Sequence, residues 1–254
     1  MSKITIHKRN EVVRGTDLYS LNAKKCFNAI YYLYQKNREV TSQHIKTNIS
    51  YSSLRELMNL QKDNNYVAVI NEAIEELQTT LIKLNNFKLD GIEYKWYSTK
   101  FLNDANVQKN NEIVVTIEIS TFFKKMITSQ TNFTQLDLVQ YLNKFRTKYS
   151  MKLYEYFKSF SGYKYIDITQ KHIMLLLNLN IDSKYKYMSD LTILLERQLK
   201  ELVSKSDLKE LKLETNSSLK KERIFRFLIN PNADKKTAGK EELESALSAI
   251  IKRF

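Results

Sequence analysis

Apolar positions between Leu138 and Phe160 recur at three- and four-residue steps. Leu138, Leu142, Phe145, Tyr149, Leu153, Tyr156 and Phe160 share one helical face. The spacing predicts a long amphipathic helix, capped by Thr134-Gln-Leu-Asp137 and ending near Ser161-Gly162. Lys144, Lys148 and Lys152 recur every four residues on another face, with Arg146 between them. That stripe reads either as an ordinary solvated face or as a clamp on the phosphates of a polyanion.

Upstream, residues 1–20 read as an irregular arm carrying Lys3, Lys8, Arg9 and Arg14. A helix is expected from about Asn22 to Lys36, with Phe27, Ile30, Tyr31 and Tyr34 on one side. Ser53-Leu-Arg-Glu56 fits a capping box for a short second helix with apolar Leu54, Leu57, Met58 and Leu60. The polar stretch Gln61–Asn65 separates it from a third helix, about Tyr66 to Leu84, with Val67, Ile70, Ile74, Leu77, Leu81 and Leu84 as its buried stripe. The period then changes. Asp90-Gly91 is a two-residue hairpin signal, Tyr94–Leu102 reads as extended, and 103–111 as a polar loop. Ile113, Val115, Ile117 and Ile119 alternate with Val114, Thr116 and Glu118, which fits a half-buried strand. Three helices followed by an antiparallel sheet is the order of a winged helix.

The second half repeats the order without repeating the sequence. Thr169–Asn178 reads as a short helix and Lys184–Ser189 as a basic, aromatic lead-in. A third helix runs from about Asp190 to Lys205, with Leu191, Leu194, Leu195, Leu199 and Leu202 inward. Leu211–Glu214 and Ile224–Ile229 are strands joined by a basic turn over 216–223, and Pro231 ends the second strand. The expected fold is α+β, two tandem winged-helix (helix-turn-helix) domains with small antiparallel sheets. The expected domains are 1–135, 136–232 and a tail, 233–254. The tail holds a short amphipathic helix over 240–254 with Leu243, Leu247, Ile250 and Ile251, which either packs back or docks on another protein. One proline and four glycines leave no linker, so the boundary near 133–137 rests on the change of pattern alone.

The formal charge of +13 over 254 residues narrows the partner. The excess is spread: residues 1–135 carry 18 Lys and Arg against 13 Asp and Glu, and residues 136–254 carry 23 against 15. A cationic folded surface favours nucleic acid first and an anionic membrane second. The lone Cys26 sits among helix-core neighbours and has no internal disulfide partner. There is no apolar run of signal-peptide length near the N-terminus and none long enough to span a bilayer, so the expected location is the bacterial cytoplasm. His7, His44 and His172 stand apart, and the glycines at 15, 91, 162 and 239 form no phosphate loop. Catalytic residues, metal sites and cofactors are therefore expected to be absent, and the protein is expected not to be an enzyme.

The second helix of a helix-turn-helix enters the major groove by its N-terminal part. In the second domain Lys184, Lys186 and Tyr187 would lead in, with Ser189, Asp190, Ile193 and Arg197 on the exposed first turns. Arg197 or Lys186 suits guanine O6 and N7. Asp190 fits two roles, a helix cap or an acceptor from a cytosine amine. In the first domain the matching, less basic segment offers Lys62, Asn64, Asn65 and Tyr66. The hairpin Ser217–Arg226 bunches Lys220, Lys221, Arg223 and Arg226. It reads either as a wing on the DNA or as a charged edge that resists strand pairing.

Arg146-Thr-Lys-Tyr149-Ser150-Met-Lys-Leu153-Tyr154-Glu155 resembles the basic, aromatic segment that opens the second DNA-binding domain of the Rep_3 (RepB-type) plasmid replication initiators. The resemblance implies binding to directly repeated origin sequences (iterons), distortion and opening of adjacent DNA, and recruitment of the host helicase and initiator proteins. It implies monomers that initiate and dimers that repress or hold plasmids together, a balance that serves copy-number control. It also implies a dimer contact in the first domain, at or near Ile113–Ile119. Rival readings are a dimeric winged-helix transcriptional repressor, another basic sequence-specific DNA-binding protein, and a basic scaffold or membrane-surface protein.

Overall fold

The computed structural model describes residues 4–15, 19–36, 46–89, 91–108, 113–128, 133–138, 144–180, 182–214 and 223–237. In chain order its elements are β1 (Thr5–Arg9), α1 (Asn10–Arg14), α2 (Leu21–Lys36), β2 (Thr47–Ser50), α3 (Tyr51–Leu57), α4 (Tyr66–Thr79), β3 (Ile82–Leu89), β4 (Ile92–Thr99), β5 (Leu102–Val107) and β6 (Val114–Ile119). They continue with α5 (Thr121–Thr128), β7 (Phe133–Asp137), α6 (Lys148–Lys158), β8 (Tyr163–Thr169), α7 (Gln170–Leu176), a 3-10 turn (Lys184–Lys186), α8 (Met188–Lys205), β9 (Lys212–Glu214), β10 (Ile224–Leu228) and β11 (Lys235–Thr237).

Two compact units result, each drawn from three stretches. The first takes Met1–Arg9, Leu18–Ile82 and Ser98–Lys148, and the second takes Asn10–Asp17, Lys83–Tyr97 and Tyr149–Phe254. The expected division at 135/136 thus differs from the structure. The later border is 148/149, and residues 10–17 and 83–97 go with the C-terminal unit.

Within the first unit α2, β2, α3, α4, β5 and β6 follow in the order helix, strand, helix, helix, strand, strand, and the sheet runs β2-β6-β5. Its core is aromatic: Phe27 lies 4.2 Å from Phe101 between ring centroids, and Phe101 meets Phe123 edge-on at 5.1 Å. Cys26 is buried there, and burial pushes its thiol up to about 12, which keeps it inert. Within the second unit α6, β8, α7, α8, β9 and β10 repeat the same order, in a sheet β11-β8-β10-β9. Phe157 packs on Phe227 at 4.7 Å, and Leu191, Leu195, Leu199 and Leu202 of α8 are buried. Both units are winged helices.

A local repeat underlies the two helix-turn-helix elements. Ser50 and Thr169 cap α3 and α7, their hydroxyls accepting from the backbone N–H three residues on. Both helices are seven residues long and both exit through an asparagine in the left-handed region, Asn59 at φ 59° and Asn178 at φ 51°. Leu60 N–H donates to Arg55 O at 2.9 Å, and Leu179 N–H to Met174 O at 2.8 Å, closing the same six-residue C-terminal motif. The segments Leu54-Arg-Glu-Leu-Met-Asn-Leu60 and Ile173-Met-Leu-Leu-Leu-Asn-Leu179 align accordingly.

Several sequence expectations are corrected. The cap of α3 is Ser50, three residues before the expected Ser53, because β2 runs straight into the helix. α4 stops at Thr79, and Ile82 already begins the β3–β4 hairpin, whose Gly91 takes φ 81° at the expected turn. Part of the expected loop 103–111 is strand β5. The long helix is much shorter than its pattern. Thr134–Asp137, the expected cap, lies in β7, paired with β1 in the register Ile6↔Leu136 and Lys8↔Thr134, so a sheet takes up that segment. The arm likewise is structured. Lys8 is fully buried, donating to the Asn28 side-chain carbonyl with its ammonium 4.8 Å over the Phe27 ring. Strand β8 has no counterpart in the sequence pattern. The tail helix with Leu243, Leu247, Ile250 and Ile251, and the wing lysines Lys220 and Lys221, lie outside the described residues.

Candidate nucleic-acid interface

α8 is the second helix of the C-terminal helix-turn-helix. Its leucines fix which side is buried, so the opposite side faces solvent: Ser189, Ile193 and Arg197, spaced four apart, together with Glu196 and Lys200. Ile193 is 64% exposed. Among the described residues Arg197 has no hydrogen-bond or ion-pair partner, leaving its guanidinium available. Asp190 is not the cap. The helix begins at Met188, and Asp190 lies half-buried in the first turn, where its charge suits the helix dipole.

The basic lead-in is a single 3-10 turn. Lys184, Lys186 and Tyr187 are exposed, with each lysine ammonium over the ring that follows it, Tyr185 at 5.5 Å and Tyr187 at 5.3 Å. Ser183 caps this turn by accepting from Tyr185 N–H. A residue missed by sequence reasoning holds it in place. The buried side-chain amide of Gln170 donates to Tyr185 O at 3.1 Å and to Lys186 O at 2.8 Å, and the Gln170 backbone N–H donates to Arg223 O at 2.9 Å. One residue at the start of α7, through its side chain on one side and its backbone N–H on the other, thus ties the lead-in turn to the strand that leaves the wing. Its burial and its two donors are tertiary facts, and no local pattern signals them.

On the wing, Arg223 is exposed in a left-handed conformation at φ 55°. Arg226 is already engaged. Its Nε and Nη2 donate to the two Asp167 oxygens, each at 2.7 Å, and its guanidinium lies 4.5 Å from the Tyr165 ring centre. Arg226 and Asp167 are direct cross-strand partners, and their hydrogen bonds raise the arginine's already high pKa. Arg226 therefore belongs to the sheet.

The lysine stripe is broken up. Lys144 and Arg146 are exposed but precede α6, and Lys148 is its first residue, half-buried. Lys152 is 2% exposed and its ammonium donates to Val13 O at 2.7 Å. This corrects the phosphate-clamp expectation for Lys152. Residues 150–157 of α6 are buried on every side, because α1 covers the face that the pattern left to solvent. Arg14 of α1 completes that cover, donating to Ser159 Oγ and O at 3.0 Å and stacking 4.0 Å from the Phe160 ring centre. Ser150, the small residue of the Arg-x-x-Tyr-small motif, is also buried, with its Oγ 2.8 Å from Gln198 Oε1 and 2.6 Å from Glu201 Oε2 on α8.

In the first unit Lys62, Asn64 and Asn65 are exposed before α4, and Tyr66 is half-buried under the Arg55 guanidinium at 4.3 Å. Arg55 also donates to Gln61 O at 3.0 Å and stitches the turn. Beyond the first turn, α4 exposes Asn71, Glu72 and Glu75, an acidic face unlike that of α8. Among the described residues no group of three or more His, Cys, Asp or Glu is placed to hold a metal, and no helix is long and apolar enough to cross a membrane.

The comparisons with known proteins agree with this architecture. The sequence model of the Initiator Replication protein family, WH1 domain (Rep3_N), matches residues 5–158. The chain belongs to this family of replication initiators. In structure it is similar to Pi initiator protein in a crystal structure with iteron DNA: 15% identity, 90% of this chain and 98% of that one covered, TM-score 0.61. A structure of domains 2 and 3 of RctB aligns over 82% of this chain and 80% of its own, at 13% identity and TM-score 0.49. No curated protein sequence matches the chain.

Proposed function

We propose that this protein is a plasmid replication initiator that binds directly repeated duplex sites, the iterons of its origin, and performs no chemistry on them. One observation carries the reading: α8 turns Ser189, Ile193 and Arg197 outward on one line, with Lys184, Lys186 and Tyr187 exposed at its entry. In this reading α8 lies in the major groove, Arg197 pairs with a guanine, and the lead-in lysines with Arg223, Lys220 and Lys221 contact flanking phosphates. Asp190, in the first turn, is the acceptor for a cytosine amine. The first unit adds weaker phosphate contacts from Lys62, Asn64, Asn65 and Tyr66, and Lys144, Arg146 and Lys148 add charge beside α6. Two DNA-reading units on one chain gain affinity through effective concentration. Binding energy then supplies the cost of bending a short site, on the order of 1–6 kcal/mol.

The reading extends to a homodimer and to recruitment of the host helicase and initiator proteins in a bacterial cytoplasm. β6 is the central strand of its sheet, so the dimer contact falls to the neighbouring β5 edge, near exposed Val107 and Ile113. The test is fluorescence anisotropy with tandem repeats from the DNA flanking the gene, against a scrambled duplex, at roughly 50 and 200 mM salt. Preference for the repeats with a steep fall in affinity supports the reading, and equal affinity for both duplexes overturns it. Plasmid maintenance in cells separates an initiator from a repressor.

A further inference from the structure

One of the exposed residues on the reading face of α8 is apolar. Ile193 stands 64% exposed, one turn after Ser189 and one turn before Arg197, with Glu196 beside it. An exposed isoleucine is a poor choice for helix stability, since its branched side chain lowers helix propensity relative to Ala, Lys or Glu. Its surroundings also argue against a protein contact. Protein interfaces bury apolar anchors among apolar neighbours, whereas Ile193 sits alone among Ser189, Glu196, Arg197 and Lys200. A lone alkyl group in a cationic, polar line complements a polar groove that holds an isolated methyl. In the major groove of unmodified DNA that methyl is the C5 group of thymine.

We infer that Ile193 reads a thymine methyl within the same site as the guanine read by Arg197. The inference rests on the assignment of α8 to the major groove. Helical restriction at χ1 holds the isoleucine in one preferred rotamer, so little freedom is lost on contact. Residues four apart on a helix are displaced by roughly 6 Å along its axis, and stacked bases by about 3.4 Å. Where α8 lies along the groove, the thymine and the guanine are therefore about two base-pair steps apart.

The experiment begins with duplexes that the full-length protein enriches from a randomised pool. In an enriched duplex each thymine is replaced in turn by deoxyuridine, which removes the methyl and leaves the base-pairing edge intact. Each guanine is replaced by 7-deazaguanine, which removes N7. The wild-type protein is expected to lose affinity about fourfold at one thymine, the value of one methyl returned to water. That thymine is expected about two steps from the guanine whose N7 matters to wild type but not to Arg197→Ala. Ile193→Ala is expected to bind the thymine duplex as weakly as wild type binds the uracil duplex, and to ignore the substitution. Its melting temperature should equal or slightly exceed wild type, because the side chain is on the surface and alanine is the better helix former. Ile193→Val should keep most of the methyl dependence. Enrichment with no methyl-sensitive thymine overturns the inference and leaves sequence-specific binding standing, as does a methyl effect that persists in Ile193→Ala. Failure to enrich any sequence overturns both.

Discussion

The ammonium of Lys152 donates to the carbonyl of Val13 at 2.7 Å in an almost fully buried setting. Val13 lies in the five-residue helix α1, whose last carbonyls have no intrahelical partner. The lysine supplies one. Lys152→Ala is expected to cost about 2–4 kcal/mol through the lost donor and the space left behind. Lys152→Met should recover the packing but not the hydrogen bond. Chemical denaturation measures both. Neither variant should change the slope of log affinity against log salt, whereas a phosphate contact would lower it by about one unit.

Gln170 is a positioning residue in the proposed interface, since it holds the backbone of Tyr185 and Lys186. Gln170→Glu keeps the shape but points a carboxylate at the carbonyls of Tyr185 and Lys186. DNA affinity is expected to fall about tenfold, roughly 1.4 kcal/mol, within the range for a buried hydrogen bond turned repulsive. Hydrogen exchange should quicken at the amides of 184–187 without DNA present. Lost affinity with unchanged exchange there would assign Gln170 a different role.

Arg197 and Lys184 should fail differently. Arg197→Ala is expected to cost about 1–3 kcal/mol on the cognate repeat and little on random duplex, relaxing preference at one base pair. Lys184→Ala should weaken both duplexes alike and reduce the salt slope by about one unit. Parallel competition titrations give both comparisons.

His172 makes the fold acid-sensitive. It is buried with its Nε2 3.3 Å from the Tyr156 hydroxyl, and burial lowers its pKa from 6.5 to about 4. Between those values the unfolded chain binds more protons than the folded one, so stability falls as pH drops from about 6.5 towards about 4. The full loss is on the order of 3 kcal/mol. Urea midpoints across that window should show the slope, and His172→Asn should flatten it while lowering stability at pH 7.

Much of the architecture was legible in local pattern. The leucines of α8 gave both the helix and its outward face, and Asp90-Gly91 gave a hairpin that forms where expected. The failures share a cause, which is that a period is also satisfied by something non-local. Thr134-Gln-Leu-Asp137 has the residues of a helix cap but pairs with β1, more than a hundred residues away in sequence. β8 was hidden because Tyr163, Tyr165, Ile166 and Ile168 put apolar groups on both sides of the alternation. Lys152 was read by its charge alone, although only its burial decides its role. The asparagine exits at Asn59 and Asn178 mark the internal repeat, which no hydrophobic period shows.

The interleaving of the two units bears on how the gene can be cut. A fragment starting at Tyr149 carries a complete helix-turn-helix yet omits Asn10–Asp17 and Lys83–Tyr97. Lys152 would then lose its Val13 acceptor, and Phe160 its guanidinium cover. Chimaeras built to exchange origin specificity between relatives therefore have to transplant three chain segments together, because a C-terminal cassette joined at the midpoint leaves part of its own scaffold behind in the donor.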